Sequence, residues 1–288
     1  MDNRYEIRCK IGVSSLGTVY RGFDRIGRRD VAIKRFSTHR TDGFFRDDPM
    51  AILSRQAEIQ SSVGHPSMVR IHDIGRDGAD TVLVMDYVEG QSLDHRLEHS
   101  VLEWDEFRLL VTGTLEGLAA AHDSGVIHGD IKPSNLMMVE TPDGERRMRI
   151  LDFGLADLIN PHPDNDTNLL ELPLDSLHCH APERFARNVP TIAADLYAFG
   201  CVCYQALAGR NPFDGHDGNR IMDAHLHHFV TNLADRRPDL PPWVCSWIMW
   251  LINRMPDHRP VDAHEALDVF LANEKAALGQ AEESSGAI

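Results

Sequence analysis

The sequence predicts an α+β protein in which a strand-rich first third is followed by a mainly helical remainder. Three observations predict it. Short β-branched and apolar segments separated by turn residues recur through residues 5–87. Apolar residues then recur at helical spacing through residues 103–122. The 288 residues, 42% hydrophobic and 25% charged, allow one large or two small folded units with a substantial core.

Composition narrows the class of partner and the compartment. The formal net charge of −15 argues against a nucleic acid or an anionic membrane as partner. Five cysteines, an odd number, fit a reducing compartment better than a disulfide framework. The N-terminus lacks the apolar core of a signal peptide, and no apolar run approaches the roughly 18 residues of a membrane helix. We therefore expect a cytoplasmic protein without a membrane segment.

Five strands are predicted in the first part of the chain. Three fall within residues 4–35, and the third is the segment V-A-I-K that ends at Lys34. Before it lies a turn between Gly12 and Gly17, and glycines allow backbone N–H groups to approach phosphate oxygens closely. Two more strands are predicted within residues 69–87, around a turn that contains Gly78.

A helix is predicted over residues 51–63, between the third and fourth strands. A glycine, a histidine and a proline at residues 64–66 end it. Spacings of four, three and four residues put one set of side chains on the face that we expect to point inward. This set is Ile52, Gln56, Ile59 and Val63.

The stretch V-I-H-G-D-I-K-P-S-N-L-M-M, residues 126–138, carries the candidate chemistry. It is predicted to form a short apolar strand, a polar turn and a second apolar run. Asp130 can orient and deprotonate an attacking hydroxyl, Lys132 can neutralise charge on a moving phosphoryl group, and Asn135 can supply an oxygen to Mg²⁺. For this loop alone, a solvated turn between two strands is the alternative.

Further motifs follow in the order found in one family. They are the glycine-containing turn with V-A-I-K, D-F-G at residues 152–154 and A-P-E at residues 181–183. Together with the loop around Asp130, they make the chain resemble a protein kinase catalytic domain, most like the bacterial serine/threonine kinases, from about residue 5 to about residue 271. The resemblance implies a bilobal α+β fold. A small lobe would hold a five-stranded antiparallel sheet and helix C, and a larger lobe would be mainly helical.

The resemblance also implies a division of the chain and a set of ligands. Residues 1–88 would form the N-lobe and residues 89–275 the C-lobe, and we expect residues 276–288 to be a disordered tail. ATP and Mg²⁺ would be bound between the lobes, with Asn135 and Asp152 as metal ligands. The catalytic residues would be Asp130, Lys132, Asn135 and Lys34. The nucleotide would be held by Ile11, Gly12, Gly17, Val19, Ala32, Lys34, Met85, Asp86, Val88 and Met137.

Several positions depart from the family pattern. Gln56 falls where a glutamate normally pairs with the strand lysine, and Gln60 replaces an apolar residue. Ser14 replaces the second glycine of the turn. Gly129 stands where many kinases have an arginine that binds a phosphate on the activation segment. We therefore expect phosphorylation of that segment, for which Thr167 is a candidate, not to be the main activating event.

Structural roles are predicted for other residues. The resemblance implies that Asp195 braces the backbone of the catalytic loop and that Arg259 pairs with Glu183. Apolar surroundings predict two buried cysteines, Cys201 and Cys203. A polar helix predicts surface histidines rather than metal ligands at His225, His227 and His228.

Three functions remain open at this point. A serine/threonine kinase acting on a protein substrate is favoured by the complete set of phosphate and metal residues, and Lys132 and Ser176 favour serine or threonine over tyrosine as acceptor. A nucleotide-binding pseudokinase is the alternative raised by Gln56 and Gln60. A small-molecule phosphotransferase would share H-G-D-x-x-x-x-N, but usually lacks the lysine at +2, D-F-G and A-P-E. The sequence leaves the substrate and the oligomeric state undetermined.

Overall fold

The computed structural model describes residues 4–14, 17–36, 50, 53–54, 57, 63–141, 143–153, 174–187 and 189–285. Within these residues, five strands form an antiparallel sheet: β1 (Tyr5–Ser14), β2 (Gly17–Asp24), β3 (Arg29–Phe36), β4 (Ile71–Asp77) and β5 (Asp80–Asp86). Their order across the sheet is β1-β2-β3-β5-β4. The predicted antiparallel sheet of the small lobe is confirmed, including the β4–β5 turn, where Gly78 has a φ of 64°.

Strand β3 is buried on both faces because alternate side chains enter two separate apolar clusters. Ala32 and Phe36 pack with Leu53, Val69, Leu83 and Met85 on one face. Val31 and Ile33 pack with Val82 and Val84 on the other. Lys34 lies in the same strand and is only 1% exposed. Its ammonium group therefore needs a partner inside the protein.

The predicted helix over residues 51–63 is described only in part. Met50, Leu53, Ser54, Ala57 and Val63 are helical, and Leu53 is fully buried beneath the sheet. Both glutamines of this segment, Gln56 and Gln60, lie outside the described residues. The inward register of Gln56 therefore stays a prediction.

The large lobe is mainly helical, as predicted. Its helices are α1 (Leu93–Leu97), α2 (Trp104–Asp123), α3 (Leu174–Leu177), α4 (Pro182–Arg187), α5 (Ile192–Ala208), α6 (Gly218–His227), α7 (Leu233–Arg236), α8 (Pro242–Leu251) and α9 (Ala263–Ser285). A small antiparallel sheet contains β6 (Gln91–Ser92), β7 (Leu136–Glu140) and β8 (Arg146–Ile150). Among the described helices, none combines the length and apolar character needed to cross a bilayer.

Two helices of the large lobe position the loop at residues 126–138. Helix α2 begins at a capping box formed by Glu103 and Glu106 and buries an apolar stripe. Helix α5 begins at Thr191, whose side chain accepts the N–H of Ala194, and is buried along most of its length. Cys201 and Cys203 lie in α5 and are buried, as predicted.

A second connection joins the lobes, apart from the chain that follows β5. The N–H of Ile150 in β8 donates to the carbonyl of Ser67 at 2.7 Å. The N–H of Val69 donates back to the carbonyl of Ile150 at 3.3 Å. Met68 and Ile150 thus form a parallel bridge. The segment before β4 therefore pairs with the end of β8 in the large lobe.

Two predictions about secondary structure are wrong. Residues 126–127 are not a strand, because the N–H of Val126 donates to Ala121 and closes the C-terminal turn of α2. The predicted disordered tail is helical as far as Ser285. Alanine, leucine, glutamine and glutamate favour helix, and α9 is anchored on the lobe by Phe270, which is fully buried, and by an ion pair between Glu274 and Arg108.

His225 also contradicts the prediction, because it is fully buried rather than at the surface. Its Nδ1 is hydrogen-bonded to the hydroxyl of Tyr197 at 2.7 Å, and its ring packs on Phe213 at 4.3 Å between centroids. Burial, with smaller contributions from the neighbouring His178 and His228, lowers the pKa of His225 to about 3. The polar composition of α6 did not predict this burial. The one face of α6 that packs into the lobe carries Ile221, Ala224 and His225.

We expect the protein to lose stability as the pH falls below about 6.5, the pKa of an unfolded histidine. Below that pH the side chain of residue 225 binds a proton in the unfolded chain, whereas in the folded protein it stays neutral until about pH 3. The free energy of unfolding should fall by about 2 kcal/mol per such histidine between about pH 7.5 and pH 5. Urea unfolding at both pH values would measure it. In His225→Asn the fall should be smaller by about that amount, and an equal fall in both proteins would contradict the assignment.

Candidate active site

A cavity of about 800 Å³ lies between the small sheet and the large lobe. This volume suits a ligand of nucleotide size. The cavity brings together nearly all the predicted site residues, namely Ile11, Gly12, Val19, Ala32, Lys34, Met85, Asp86, Val88, Asp130, Lys132, Asn135, Met137 and Asp152.

Gly17 is the predicted site residue that does not line the cavity. It is buried at the start of β2, opposite Phe36 of β3. A Cβ atom at this position would lie 1.9 Å from the backbone oxygen of Arg35. The close approach of two strands therefore gives one reason for this glycine, and its contact with a ligand stays a prediction.

Apolar side chains form one end of the cavity. Val19 and Ala32 come from neighbouring strands of the small lobe, and Met137 comes from β7 of the large lobe. Leu151, which sequence reasoning missed, joins them from the end of β8. A flat apolar ring can be enclosed between these two layers. Leu151 directly precedes the D-F-G motif, and that position was the available signal.

Asp86 lies at the end of β5, where the chain passes between the lobes. Its carboxylate contacts His72 Nε2 at 2.7 Å and the Arg149 guanidinium at 2.8 Å. Burial alone would raise the pKa of Asp86, but hydrogen bonds from His72 and the Arg70 backbone and the charge of Arg149 outweigh it and hold the pKa at about 2. Its N–H donates to the Arg70 carbonyl. A ligand would therefore have to use the carbonyl of Asp86 rather than its N–H.

Lys34 and Asp152 form an ion pair across the polar end of the cavity. Lys34 Nζ lies 2.7 Å from Asp152 Oδ2. Asp152 has a φ of 59°, in the left-handed region that aspartate tolerates better than most residues. This conformation turns the chain sharply after β8. The pairing supplies the partner that the buried ammonium of Lys34 requires.

Asp130, Lys132 and Asn135 form one hydrogen-bonded unit. The amide nitrogen of Asn135 donates to the Asp130 carbonyl at 2.8 Å and to its Oδ2 at 3.2 Å. Lys132 Nζ lies 3.2 Å from Asp130 Oδ2, 3.0 Å from Asp175 and 2.7 Å from Ser176 Oγ. Burial would lower the pKa of Lys132, but the charges of Asp130 and Asp175 outweigh it and raise the pKa. The ammonium therefore stays charged.

The backbone of this loop is held by Asp195, as predicted. The carboxylate of Asp195 accepts the N–H groups of His128 and Gly129, both at 2.8 Å, and a bond from His122 at 3.0 Å. Burial acts to raise the pKa of Asp195, but these interactions outweigh it and the pKa is lowered. Arg184 donates to the Gly129 carbonyl from the opposite side. Gly129 has a φ of 78°, which an arginine at this position would adopt only with strain.

His128 connects the loop to the D-F-G motif. Its Nδ1 accepts the N–H of Asp130 at 3.1 Å, so its Nε2 carries the proton donated to the Leu151 carbonyl at 2.8 Å. Its ring meets Phe153 edge-on, with 4.7 Å between centroids. The orientation of Asp130 is thus fixed relative to that of Asp152.

The arrangement fits a magnesium ion bound with phosphates. Asn135 uses its amide nitrogen on Asp130, which leaves its oxygen for a metal. Asp152 uses Oδ2 on Lys34, which leaves Oδ1. One carboxylate and one amide oxygen, completed by phosphate oxygens and water, form the hard ligand set that Mg²⁺ prefers.

The predicted pairing of Arg259 with Glu183 is confirmed, with two bonds of 2.7 and 2.8 Å. Asp175 and Arg184 were missed by sequence reasoning. Asp175 adjoins Ser176, and this adjacency was its only signal. Gly154 and the candidate modification site Thr167 lie outside the described residues.

Comparison with known proteins agrees with this geometry. The chain matches the family model of the protein kinase domain over residues 5–270. It is 33% identical to the serine/threonine-protein kinase pkn2 of Myxococcus xanthus, over 96% of this chain and 33% of that protein. It is 32% identical to the probable serine/threonine-protein kinase pknA2 of Bifidobacterium longum, over 93% and 35%.

A third relative, the serine/threonine-protein kinase PrkC of Bacillus subtilis, is 30% identical over 96% of this chain and 42% of that protein. The chain therefore spans from a third to about two-fifths of the length of these curated relatives. Because the family model covers nearly the whole chain and the cavity holds the family's motifs in one place, the chain belongs to the protein kinase domain family.

Proposed function

We propose that this chain transfers the γ-phosphoryl group of ATP to serine or threonine hydroxyls of a protein substrate. One observation carries the proposal. The hydrogen-bonded unit of Asp130, Lys132 and Asn135 lines the same cavity as the Lys34–Asp152 ion pair. A base, a cation for the moving group and two metal ligands are thus available in one place. The similar proteins named above are serine/threonine kinases, which supports the same acceptor class.

Asp130 acts on the acceptor in this proposal. Its carboxylate orients the hydroxyl and takes the proton as the acceptor oxygen bonds to the γ-phosphorus. The bond from that phosphorus to the bridging oxygen breaks, and ADP leaves with the electron pair. Lys132 stabilises negative charge on the moving group, because its ammonium stays charged beside Asp130. Ser176 holds that ammonium in place through its 2.7 Å bond.

The small lobe, up to about residue 88, binds the nucleotide in this proposal. Lys34 contacts the α- and β-phosphates, and the adenine lies between the apolar layers that contain Ala32 and Met137. Asn135 and Asp152 would hold Mg²⁺, which would supply positive charge against the phosphates. The five cysteines, all within the described residues, are free thiols, which supports a reducing compartment such as the cytoplasm.

Phosphate transfer from γ-labelled ATP with Mg²⁺ to a generic basic protein tests the proposal. Nucleotide binding is followed separately by thermal shift. Labelled acceptor is the expected result. Stabilisation by nucleotide without label would replace the proposal by the pseudokinase alternative. Label on a small aminoglycoside or choline acceptor but on no protein would replace it by the small-molecule phosphotransferase.

The Gln56→Glu variant is expected to transfer phosphate about tenfold faster than the natural chain. In the predicted inward register of residue 56, a glutamate would give Lys34 a charge-assisted bond where glutamine can offer only a neutral one, a gain of roughly 1–2 kcal/mol. Initial rates at saturating ATP measure this. Gln56→Ala, which removes the polar group altogether, is the control and should be slower than the natural chain. A glutamate variant that is slower than the natural chain would show that residue 56 does not face Lys34.

A further inference from the structure

Three oxygen atoms of the described residues lie within 3.2 Å of the Lys132 ammonium. A lysine ammonium carries three donors. One donates to Ser176 Oγ at 2.7 Å, and the ammonium also forms ion pairs with Asp175 Oδ2 at 3.0 Å and Asp130 Oδ2 at 3.2 Å. In the proposed reaction, however, Lys132 must donate to the γ-phosphate. The γ-phosphate therefore competes with these three oxygens for the ammonium, and one of the contacts has to lengthen to make room for it.

Asp175 is the partner that can be exchanged. Ser176 is buried, and its hydroxyl lies directly against Lys132. Asp130 is held by Asn135 and is needed at the acceptor hydroxyl. The Asp175 side chain is 52% exposed, against 30% for Asp130, and it lies on the short helix α3 at the edge of the cavity. Water or another charged group can reach it.

The charge of the cavity shows what should replace Lys132 beside Asp175. Among the described residues, and apart from Asp86, which Arg149 neutralises, the acidic side chains that line the cavity are Asp94, Asp130, Asp152 and Asp175, and the lysines are Lys34 and Lys132. Polyphosphate adds further negative charge, which Mg²⁺ would offset only in part. A released Asp175 carboxylate would then face a strongly negative site, which disfavours the release unless a new cation arrives.

We propose that Asp175 selects a protein acceptor whose serine or threonine lies next to lysine or arginine. The acceptor's cation pairs with Asp175, which frees one N–H of Lys132 for the γ-phosphate. Acceptor and nucleotide therefore strengthen each other's binding. This inference rests on the proposed function, whose acceptor it narrows to basic protein segments.

The test measures binding rather than transfer, so that it can succeed or fail even if no phosphate is transferred. Calorimetry gives the affinity of the Mg²⁺ complex of the β,γ-imido analogue of ATP, which cannot donate its phosphoryl group. The titration is done alone and with saturating alanine-based peptide that carries one serine flanked by arginines or by glutamines. The proteins are the natural chain, Asp175→Asn and Asp268→Asn. The last removes an equal charge from an exposed position of α9.

In the natural chain and in Asp268→Asn, the arginine peptide should tighten nucleotide binding at least fivefold, and the glutamine peptide should not. In Asp175→Asn, the nucleotide alone should bind at least fivefold more tightly than in the natural chain, and the two peptides should have equal effects. Equal effects of both peptides on the natural chain, or a preference for the arginine peptide that persists in Asp175→Asn, would overturn the proposal. Failure of the proposed function would appear elsewhere, as absence of label in the transfer assay.

Discussion

Replacing Asp130 by asparagine is expected to reduce phosphate transfer by a factor of about 10²–10⁴, the usual contribution of a positioned general base. The reason is local. Asparagine can still accept the bond from Asn135, but it cannot take the acceptor's proton, and it no longer attracts the Lys132 ammonium. Initial rates with γ-labelled ATP and a basic protein acceptor measure the loss.

Two controls separate this result from misfolding. The Asp130 side chain is 30% exposed, so the thermal unfolding midpoint should change little. The nucleotide should still shift that midpoint, because Lys34 and Asp152 are unchanged. Asp268→Asn should transfer phosphate at the natural rate. A rate in Asp130→Asn within threefold of the natural one would refute the role of Asp130 as the base.

Replacing Glu183 by glutamine is expected to cost about 3 kcal/mol of stability, near the lower end of the range for breaking a buried ion pair. The Arg259 side chain is fully buried and would keep its charge without the carboxylate that now accepts two of its N–H groups. Its remaining bonds to the carbonyls of Asn253, Ala193 and Arg254 have neutral acceptors and do not replace the lost carboxylate charge. The Glu183 carboxylate is 26% exposed, which places the cost near the lower end.

Urea unfolding of Glu183→Gln beside Asp239→Asn measures this cost. Asp239 also pairs with an arginine, Arg237, at 2.7 Å, but its side chain is 61% exposed. Its loss should cost at most about 1 kcal/mol. Adding Arg259→Met to Glu183→Gln should recover part of the stability, because the unpaired charge is then removed. Equal losses in the two single variants would show that burial does not set the strength of the Glu183 pair.

The parts of the site that the sequence predicts are those encoded by local spacing. Asp130, Lys132 and Asn135 lie within six residues of one another, and their mutual contacts follow from one turn of backbone. Pairing between distant segments is different. The contact of Arg149 with Asp86 joins residues 63 apart, and neither side chain differs in sequence from an ordinary surface charge. Such contacts depend on how the two lobes pack, and no local sequence pattern specifies that packing.

The same limit applies to the packing of His225 and of Gly17. His225 lies in a helix with mostly polar residues, and only the packing of Phe213 and Tyr197 against it shows that it is buried. Gly17 matches a phosphate-binding pattern, and the close approach of β2 and β3 gives a separate reason for a glycine there. In both cases the residue type was correctly noted, and the packing around it depends on a partner elsewhere in the chain.

The bridge between Ser67–Val69 and Ile150 has a mechanical consequence. Within the described residues, the backbones of the lobes are joined at two separate points, this bridge and the chain that follows Asp86, besides side-chain ion pairs such as Lys34–Asp152. Two bodies held at two points keep a single easy rotation, about the line through those points, while sliding and twisting are opposed. Opening the cleft to admit a ligand is then a one-dimensional motion. Residues close to that axis move least, and those at the cleft's mouth move most.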